Sequence, residues 1–246
     1  MVDVLGFDSA FFGRKMGVLS GDLASAGQVA SELATAREQC FEYLICRPAV
    51  EDATAIRTLE AAGFYLTDVG VTWSSDAQAY LSKAAPVPVG AIRLATTADV
   101  PRLSAEAVTL FRRSRFYSDP FFTTEEADRL HAVWLANSVS GQAADAVLIN
   151  PNAGFVTCKL TKDGNGEVAL IGVWEASRQR GAGRDLMTAA VAWFAAQGRP
   201  EVRVKTQVKN LRAMNFYHRL GFDLHAMDMT MGCILGRRPA PTGGRQ

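Results

Sequence analysis

The sequence predicts an α/β fold, a sheet flanked by helices, and three observations carry that prediction. Helical and strand-like periodicities interleave through the second half of the chain. A turn-forming run, Lys162-Asp163-Gly164-Asn165-Gly166, joins two strand candidates into a hairpin. A glycine-containing loop then leads from a strand candidate directly into an amphipathic helix.

The elements follow in order. Asp99–Ser114 places Leu103, Ala107, Leu110 and Phe111 at helical spacing, with Thr97 or Asp99 as the expected cap and Pro101 in the first turn. Thr124–Asn137 repeats the pattern with Ala127, Leu130, Val133 and Trp134. Strand candidates are Ala146–Ile149, Gly154–Leu160 and Glu167–Trp174. Arg184–Gln197 is helical, with Leu186, Ala189, Ala190, Trp193 and Phe194 on one face. Val202–Thr206 alternates as a strand does, Leu211–Leu220 is helical with Gly221 at its end, and Asp228–Leu235 closes as a strand.

Composition narrows the class. Of 246 residues, 48% are hydrophobic and 21% charged, the balance of an ordinary globular protein. Lys+Arg 26 against Asp+Glu 25 leaves a net charge of +1, which argues against nucleic acid or an anionic membrane as partner. No run reaches the ~18 apolar residues of a membrane helix. The opening MVDVLGFDSAFFG lacks the basic stretch and long apolar block of a secretory signal. Cys40, Cys46, Cys158 and Cys233 are scattered, and His131, His218 and His225 form no metal-ligand spacing. The expectation is no metal, no disulfide framework and a reducing, cytoplasmic compartment. A homodimer is compatible with these features.

The Ala84–Gly90 stretch, with two prolines and a glycine, reads as a linker, and Arg237–Gln246 as a disordered tail. These boundaries divide the chain into residues 1–83, 84–90, 91–236 and 237–246. A shift of about 158 positions lays Asp52–Phe64 on Asn210–Phe222, Tyr43–Cys46 on Glu201–Val204, and Ala26–Gln39 on Arg184–Gln197. Chance agreement between two strand–helix units is one reading; a half-domain duplication is the other. On the second reading, Ser20–Ser25 faces the Arg178–Gly183 loop without its arginines, and Leu59 faces Tyr217. The first copy is then expected to bind no coenzyme.

Val173–Arg184 is the most informative segment. Gly181 and Gly183 allow backbone N–H groups close to an anion, and a helix N-terminus adds unpaired donors and a favourable dipole. Arg180 and Arg184 would add charge-assisted bonds. A plain polar strand-to-helix turn is the alternative. Arg178-Gln179-Arg180-Gly181-Ala182-Gly183 resembles the Q/R-x-x-G-x-G/A signature of GNAT acetyltransferases, and Asn210 through Phe222 resembles that family's N-x-x-A-x-x-x-Y-x-x-x-G-F motif.

The resemblance implies a GNAT fold: a central mixed, twisted sheet flanked by helices, here preceded by a smaller degenerate half-GNAT α/β unit. It implies acetyl-CoA as co-substrate. Backbone at Gly172 and Val173 would pair with the pantetheine arm. Arg178, Gln179, Arg180, Gly181, Ala182, Gly183 and Arg184 would surround the pyrophosphate, and Asn210, Ala213 and Phe216 would line the coenzyme's path. Tyr217 would protonate the leaving thiolate; otherwise it is a packed aromatic. Glu167 is either a base or a solvated strand-end charge.

Phe7–Gly13 and Ser114-Arg115-Phe116-Tyr117, with Asp119-Pro120 following, are similar to the TDP-fucosamine N-acetyltransferase type, which acetylates dTDP-4-amino-4,6-dideoxyhexoses for surface polysaccharide. Arg115 would meet a nucleotide phosphate, and Phe116 and Tyr117 would stack on base or sugar. The alternative is a hydrophobic closing loop with a solvated arginine. Other readings are a GNAT enzyme of a peptide N-terminus, lysine or aminoglycoside, and a non-catalytic acyl-CoA-binding module. Arg112, Arg113 and Arg115 against Asp119 favour an anionic acceptor.

Overall fold

A computed structural model describes residues 1–88 and 90–236. The expected disordered tail, and Val89 of the expected linker, lie outside the described residues. In chain order the elements are β1 (Val2–Val4), α1 (Gly6–Phe12), β2 (Met16–Leu19), α2 (Ala26–Glu38), β3 (Tyr43–Cys46), α3 (Ala53–Ala61) and β4 (Tyr65–Asp76). Then come α4 (Ala77–Leu81), β5 (Arg93–Leu94), α5 (Val100–Leu110), α6 (Thr124–Val139), β6 (Ala146–Asn150), β7 (Gly154–Leu160) and β8 (Gly166–Val173). The chain closes with α7 (Ala182–Ala196), β9 (Glu201–Gln207), α8 (Leu211–Arg219) and β10 (Asp223–Ile234).

Backbone contacts separate two compact units. The first comprises Met1–Gly70, Arg113–Ala127 and the described residues from Met227; the second comprises Val71–Arg112 and Asp128–Ala226. Both units draw on chain from each side of residues 84–90, so their ranges differ from the contiguous division expected at that stretch. The division falls within strands β4 and β10, after Gly70 and after Ala226.

In the first unit the strand order is β1-β2-β3-β10-β4. Strands β2 and β3 are parallel and pair along the whole of β2, from Met16–Tyr43 to Leu19–Cys46. Strand β10 pairs antiparallel with β3, Cys46 opposite Met231. Alternation sends Leu44 and Cys46 to a core with Val29 and Leu33 of α2, Leu59 of α3, Met231 and Cys233. Tyr43 faces the other way.

In the second unit the order is β4-β9-β8-β7-β6-β5. Helix α7 fills the main core there with Leu186, Met187, Ala190, Val191 and Phe194, against Val156, Val168, Val202 and Val204 of the strands. A separate core packs Leu103 and Ala107 of α5 and Leu135 of α6 against Val147, Ile149 and Phe155.

Local chemistry sets the element ends. Thr96 and Asp99 form a capping box on the turn Thr97–Asp99 ahead of α5; of the two expected caps, Asp99 stands at the N-cap of α5, with Pro101 in the first turn. Thr123 and Glu126 exchange backbone-to-side-chain bonds of 2.9 and 3.2 Å at the start of α6. Gly221 follows α8 at φ 82°. Helix α3 and α8, and strands β4 and β10, have equal lengths and stand about 158 residues apart, the interval of the sequence repeat. The exchange is in the neighbours: β3 borders β10, while β9 borders β4.

Candidate functional site

Strands β8 and β9 are parallel and pair at Gly166–Val202, Glu167–Arg203 and Val168–Val204. Among the described residues the register stops there, although β8 continues to Val173 and β9 to Gln207. A bulge explains the divergence. Val156 faces Ile171 and Cys158 faces Val168, so Ala169 and Leu170 together oppose Thr157. The fully buried Thr157 accepts from Leu170 N–H at 2.8 Å, which satisfies a donor that the bulge takes out of the ladder. Beyond the bulge, Gly172 and Val173 pair with β7 on one side. Their other backbone edge faces the gap.

The chain leaves β8 through a pinned loop. Trp174 donates its backbone N–H to Ala153 at 2.8 Å and its indole N–H to Pro151 at 3.3 Å; the Ser177 hydroxyl donates to Asn152 at 2.8 Å. Gln179 and Gly181 then adopt φ of 65° and 84°, left-handed backbone that Gly181 takes without a Cβ penalty. Gly181 caps α7, and among the described residues no side-chain hydrogen bond caps this helix start. Arg178 lies 3.8 Å from Glu175, whereas Arg180 and Arg184 are exposed. A cavity of about 640 Å³ opens beside this turn, next to Ser177, Arg180, Ala182 and Asp185. An uncapped helix end with arginines around it can take an anion.

Three elements meet at Gly183. A Cβ there would lie 3.2 Å from the Phe216 ring of α8 and 3.5 Å from Val173 of β8. Glycine at this position therefore lets α7, α8 and the end of β8 converge. Gly172 is as constrained: a Cβ would meet Leu110 at 2.7 Å and Phe155 at 2.8 Å. Asn210 caps α8, accepting from Ala213 N–H at 3.4 Å and donating to Thr206 at 3.2 Å. Tyr217 is buried between Phe216 and Phe222, with ring centroids 5.4 and 6.3 Å away. Burial pushes its hydroxyl pKa up, and the hydroxyl has no hydrogen-bond partner among the described residues. It therefore stays a neutral O–H donor.

Arg115, Phe116 and Tyr117 belong to the first unit, on a single helical turn. Phe116 packs on Phe122 at 4.9 Å and lies 6.1 Å from Phe12, while the Arg115 guanidinium sits 4.2 Å from the Phe116 centroid. The turn is held from below. Asp119, which is 3% exposed, accepts from both Tyr43 and Tyr65 hydroxyls, the latter at 2.8 Å, and from Phe121 N–H at 3.0 Å. Arg14 donates to the Phe121 carbonyl at 2.9 Å and to Glu126 at 2.6 Å. Nothing in the linear sequence marks Arg14, or marks Asp119 as the anchor of this turn. A buried carboxyl serving three donors from separate segments leaves no local pattern.

The profile of the Acetyltransferase (GNAT) family matches residues 107–222, from the last turn of α5 to the start of β10. The crystal structure of a GCN5-related N-acetyltransferase from Sphaerobacter thermophilus superposes with a TM-score of 0.61 at 17% identity, over 98% of this chain and 79% of that one. The fold is the GNAT fold. Within it, the parallel pair β8–β9 parts at a bulge, and Arg178–Gly183 leads from the end of β8 into α7. Among curated proteins, the dTDP-fucosamine acetyltransferase of Escherichia coli O6:H1 is 29% identical over 138 residues, covering 54% of this chain and 58% of that protein. The mycothiol acetyltransferase of Gordonia bronchialis is 36% identical over 106 residues, covering 43% of this chain and 34% of that protein. The chain thus aligns with 58% and 34% of the lengths of these relatives. No helix among the described residues is long and apolar enough to cross a membrane, and no cluster of His, Cys, Asp or Glu among them has the makings of a metal site.

Proposed function

We propose that the protein is an acetyl-CoA-dependent N-acetyltransferase whose acceptor is the amine of a nucleotide-linked 4-amino-4,6-dideoxy sugar, dTDP-linked by preference, used for surface glycan. The observation that carries the transferase reading is the gap between β8 and β9 leading onto the uncapped start of α7. An extended pantetheine arm matches the free edge at Gly172–Val173, as an added strand matches a sheet edge. The pyrophosphate matches the N–H groups from Ala182 to Arg184, with Gln179, Arg180 and Arg184 around it. Arg178, held near Glu175, is a second-line cation there. Asn210 and Ala213 shape the α8 end of the path, and Phe216 closes it over Gly183.

In the reaction the acceptor nitrogen bonds to the thioester carbonyl carbon, the carbon–sulfur bond breaks, and the nitrogen gives up a proton to solvent, from which Tyr217 is reprotonated after each turnover. Tyr217 donates its O–H proton toward the departing sulfur. Its buried, neutral hydroxyl suits that step. The sugar-nucleotide acceptor rests on Arg115, Phe116 and Tyr117, a guanidinium beside aromatic rings, and on the likeness to the E. coli relative. The reading carries with it a cytoplasmic enzyme that needs no metal.

The test is thiol release from acetyl-CoA across dTDP-, UDP- and GDP-linked amino sugars, lysine peptides and aminoglycosides. Turnover confined to nucleotide-linked amino sugars is the expected result. Turnover only with peptides or aminoglycosides overturns the acceptor, and coenzyme binding without turnover on any amine overturns the enzyme.

A further inference from the structure

Five buried side-chain nitrogen or oxygen atoms lack a partner among the described residues, and three of them belong to Arg14, Ser114 and Arg115 of the first unit. Buried polar atoms are normally paired, so such a concentration points to a missing acceptor. Arg14 is otherwise engaged by Phe121 and Glu126. Ser114 and Arg115 are different: the Ser114 hydroxyl and one Arg115 Nη are buried donors with nothing to donate to.

Two further groups share this surface. On β3, Tyr43 stacks on Phe121 at 4.3 Å, while Leu44 and Cys46 face the opposite core. Strand alternation then carries Arg47, just past the strand, to Tyr43's face. Arg47 is exposed and makes no ion pair among the described residues. On α1, Asp8 lies one turn before Phe12, whose ring is 6.1 Å from Phe116, so Asp8 faces the same turn. Burial raises the Asp8 pKa, and Arg115 and then Arg47 draw it down, which places both guanidinium groups near one carboxyl.

We propose that Ser114, Arg115 and Arg47 form a diphosphate-binding subsite, with Asp8 as a negative charge that the diphosphate must outcompete. This rests on the reading of the acceptor as nucleotide-linked and names the part of it recognised here. Two guanidinium forks on separate elements suit an anion with two charged centres, and the Ser114 hydroxyl supplies a third donor. Asp8 weakens the empty pair's hold on monovalent anions by occupying part of the same field.

The experiment is calorimetric titration of the full chain with dTDP, and separately with inorganic pyrophosphate, both at saturating coenzyme A so that the α7 turn is occupied. Arg47→Ala and Arg115→Ala should each weaken both probes about tenfold or more, since a hydrogen bond to a charged group contributes about 1.5–3 kcal/mol and 1.4 kcal/mol is tenfold. Arg47→Ala should leave coenzyme A affinity unchanged. Asp8→Asn should tighten both probes, a gain that a misfolded variant cannot mimic. Affinities unchanged in both arginine variants, or weakened by Asp8→Asn, overturn the subsite. Pyrophosphate binding with arginine dependence but no dTDP binding upholds the subsite and removes the nucleotide from the proposed acceptor.

Discussion

Tyr217→Phe separates chemistry from packing because of how the residue is held. The ring is buried against Phe216 and Phe222, and phenylalanine keeps all of that contact. The hydroxyl has no protein partner among the described residues, so its removal orphans no donor or acceptor. Stability should therefore stay within about 0.5 kcal/mol of the parent. The rate is another matter. General-acid catalysis contributes about 10²–10⁴-fold, roughly 3–5 kcal/mol of barrier at about 1.36 kcal/mol per decade. The loss should fall on kcat with acetyl-CoA affinity nearly unchanged, because the proton matters as charge develops on sulfur. Burial raises the hydroxyl pKa, so its ionisation should leave no alkaline limb in the rate profile below pH ~10. Single-turnover quench-flow is the assay, since product release can hide the chemical step in steady state. A Tyr217→Phe protein that transfers acetyl in one turnover as fast as the parent refutes the acid role.

Three further expectations concern the scaffold. Thr157→Val leaves the Leu170 N–H of the bulge unpaired, a loss of about 1–3 kcal/mol; thermal unfolding should fall by about 2–4 °C per kcal/mol, and an unchanged Tm removes the hydroxyl from the account of the bulge. Asp119→Asn replaces one of two acceptor oxygens by a donor facing a tyrosine hydroxyl or a backbone N–H, which should cost about 1.5–3 kcal/mol in denaturant unfolding; equal midpoints would mean the tyrosines repartner freely. Burial raises the Tyr43 and Tyr217 pKa values and pushes the Cys46 and Cys158 thiols up to about 12, so the unfolded chain loses these protons first. The contribution of these four groups should be level below pH ~8.5 and decline as pH rises toward 12; a flat profile of unfolding free energy from pH 8 to 11 contradicts this.

What the sequence makes legible is whatever depends on near neighbours. Turn chemistry at Lys162–Gly166, the periodicity of α7, and Gly221 after α8 are all local, and the elements stand where those signals put them. Strand β10 begins at Asp223, well before the expected Asp228, because Leu224 and Met227 are exposed and give no apolar alternation to read. The residues proposed for the coenzyme could be named from a linear motif because Gly181, Gly183 and Phe216 lie on consecutive strand–loop–helix units. Their packing constraints could not: that Gly183 must admit the Phe216 ring is a fact about two helices. The bulge at Ala169–Leu170 was invisible for the same reason, since it depends on Thr157 across the ladder. Arg47 had no signal at all, being one arginine past a short buried strand.

The exchange of strands bears on how the chain comes off the ribosome. Strand β3 is finished early, yet the neighbour on its open side is β10, and Met231 follows Cys46 by 185 residues. At about 5–20 residues per second, some ten to forty seconds of synthesis pass before that neighbour exists. Throughout that interval the apolar Tyr43–Cys46 segment presents a bare row of N–H and C=O groups, a template for pairing with any other nascent strand. The first unit cannot close its sheet until β10 has been synthesised. Its yield in a cell should therefore depend on chaperone capacity and growth temperature more steeply than the stability of the finished protein would suggest.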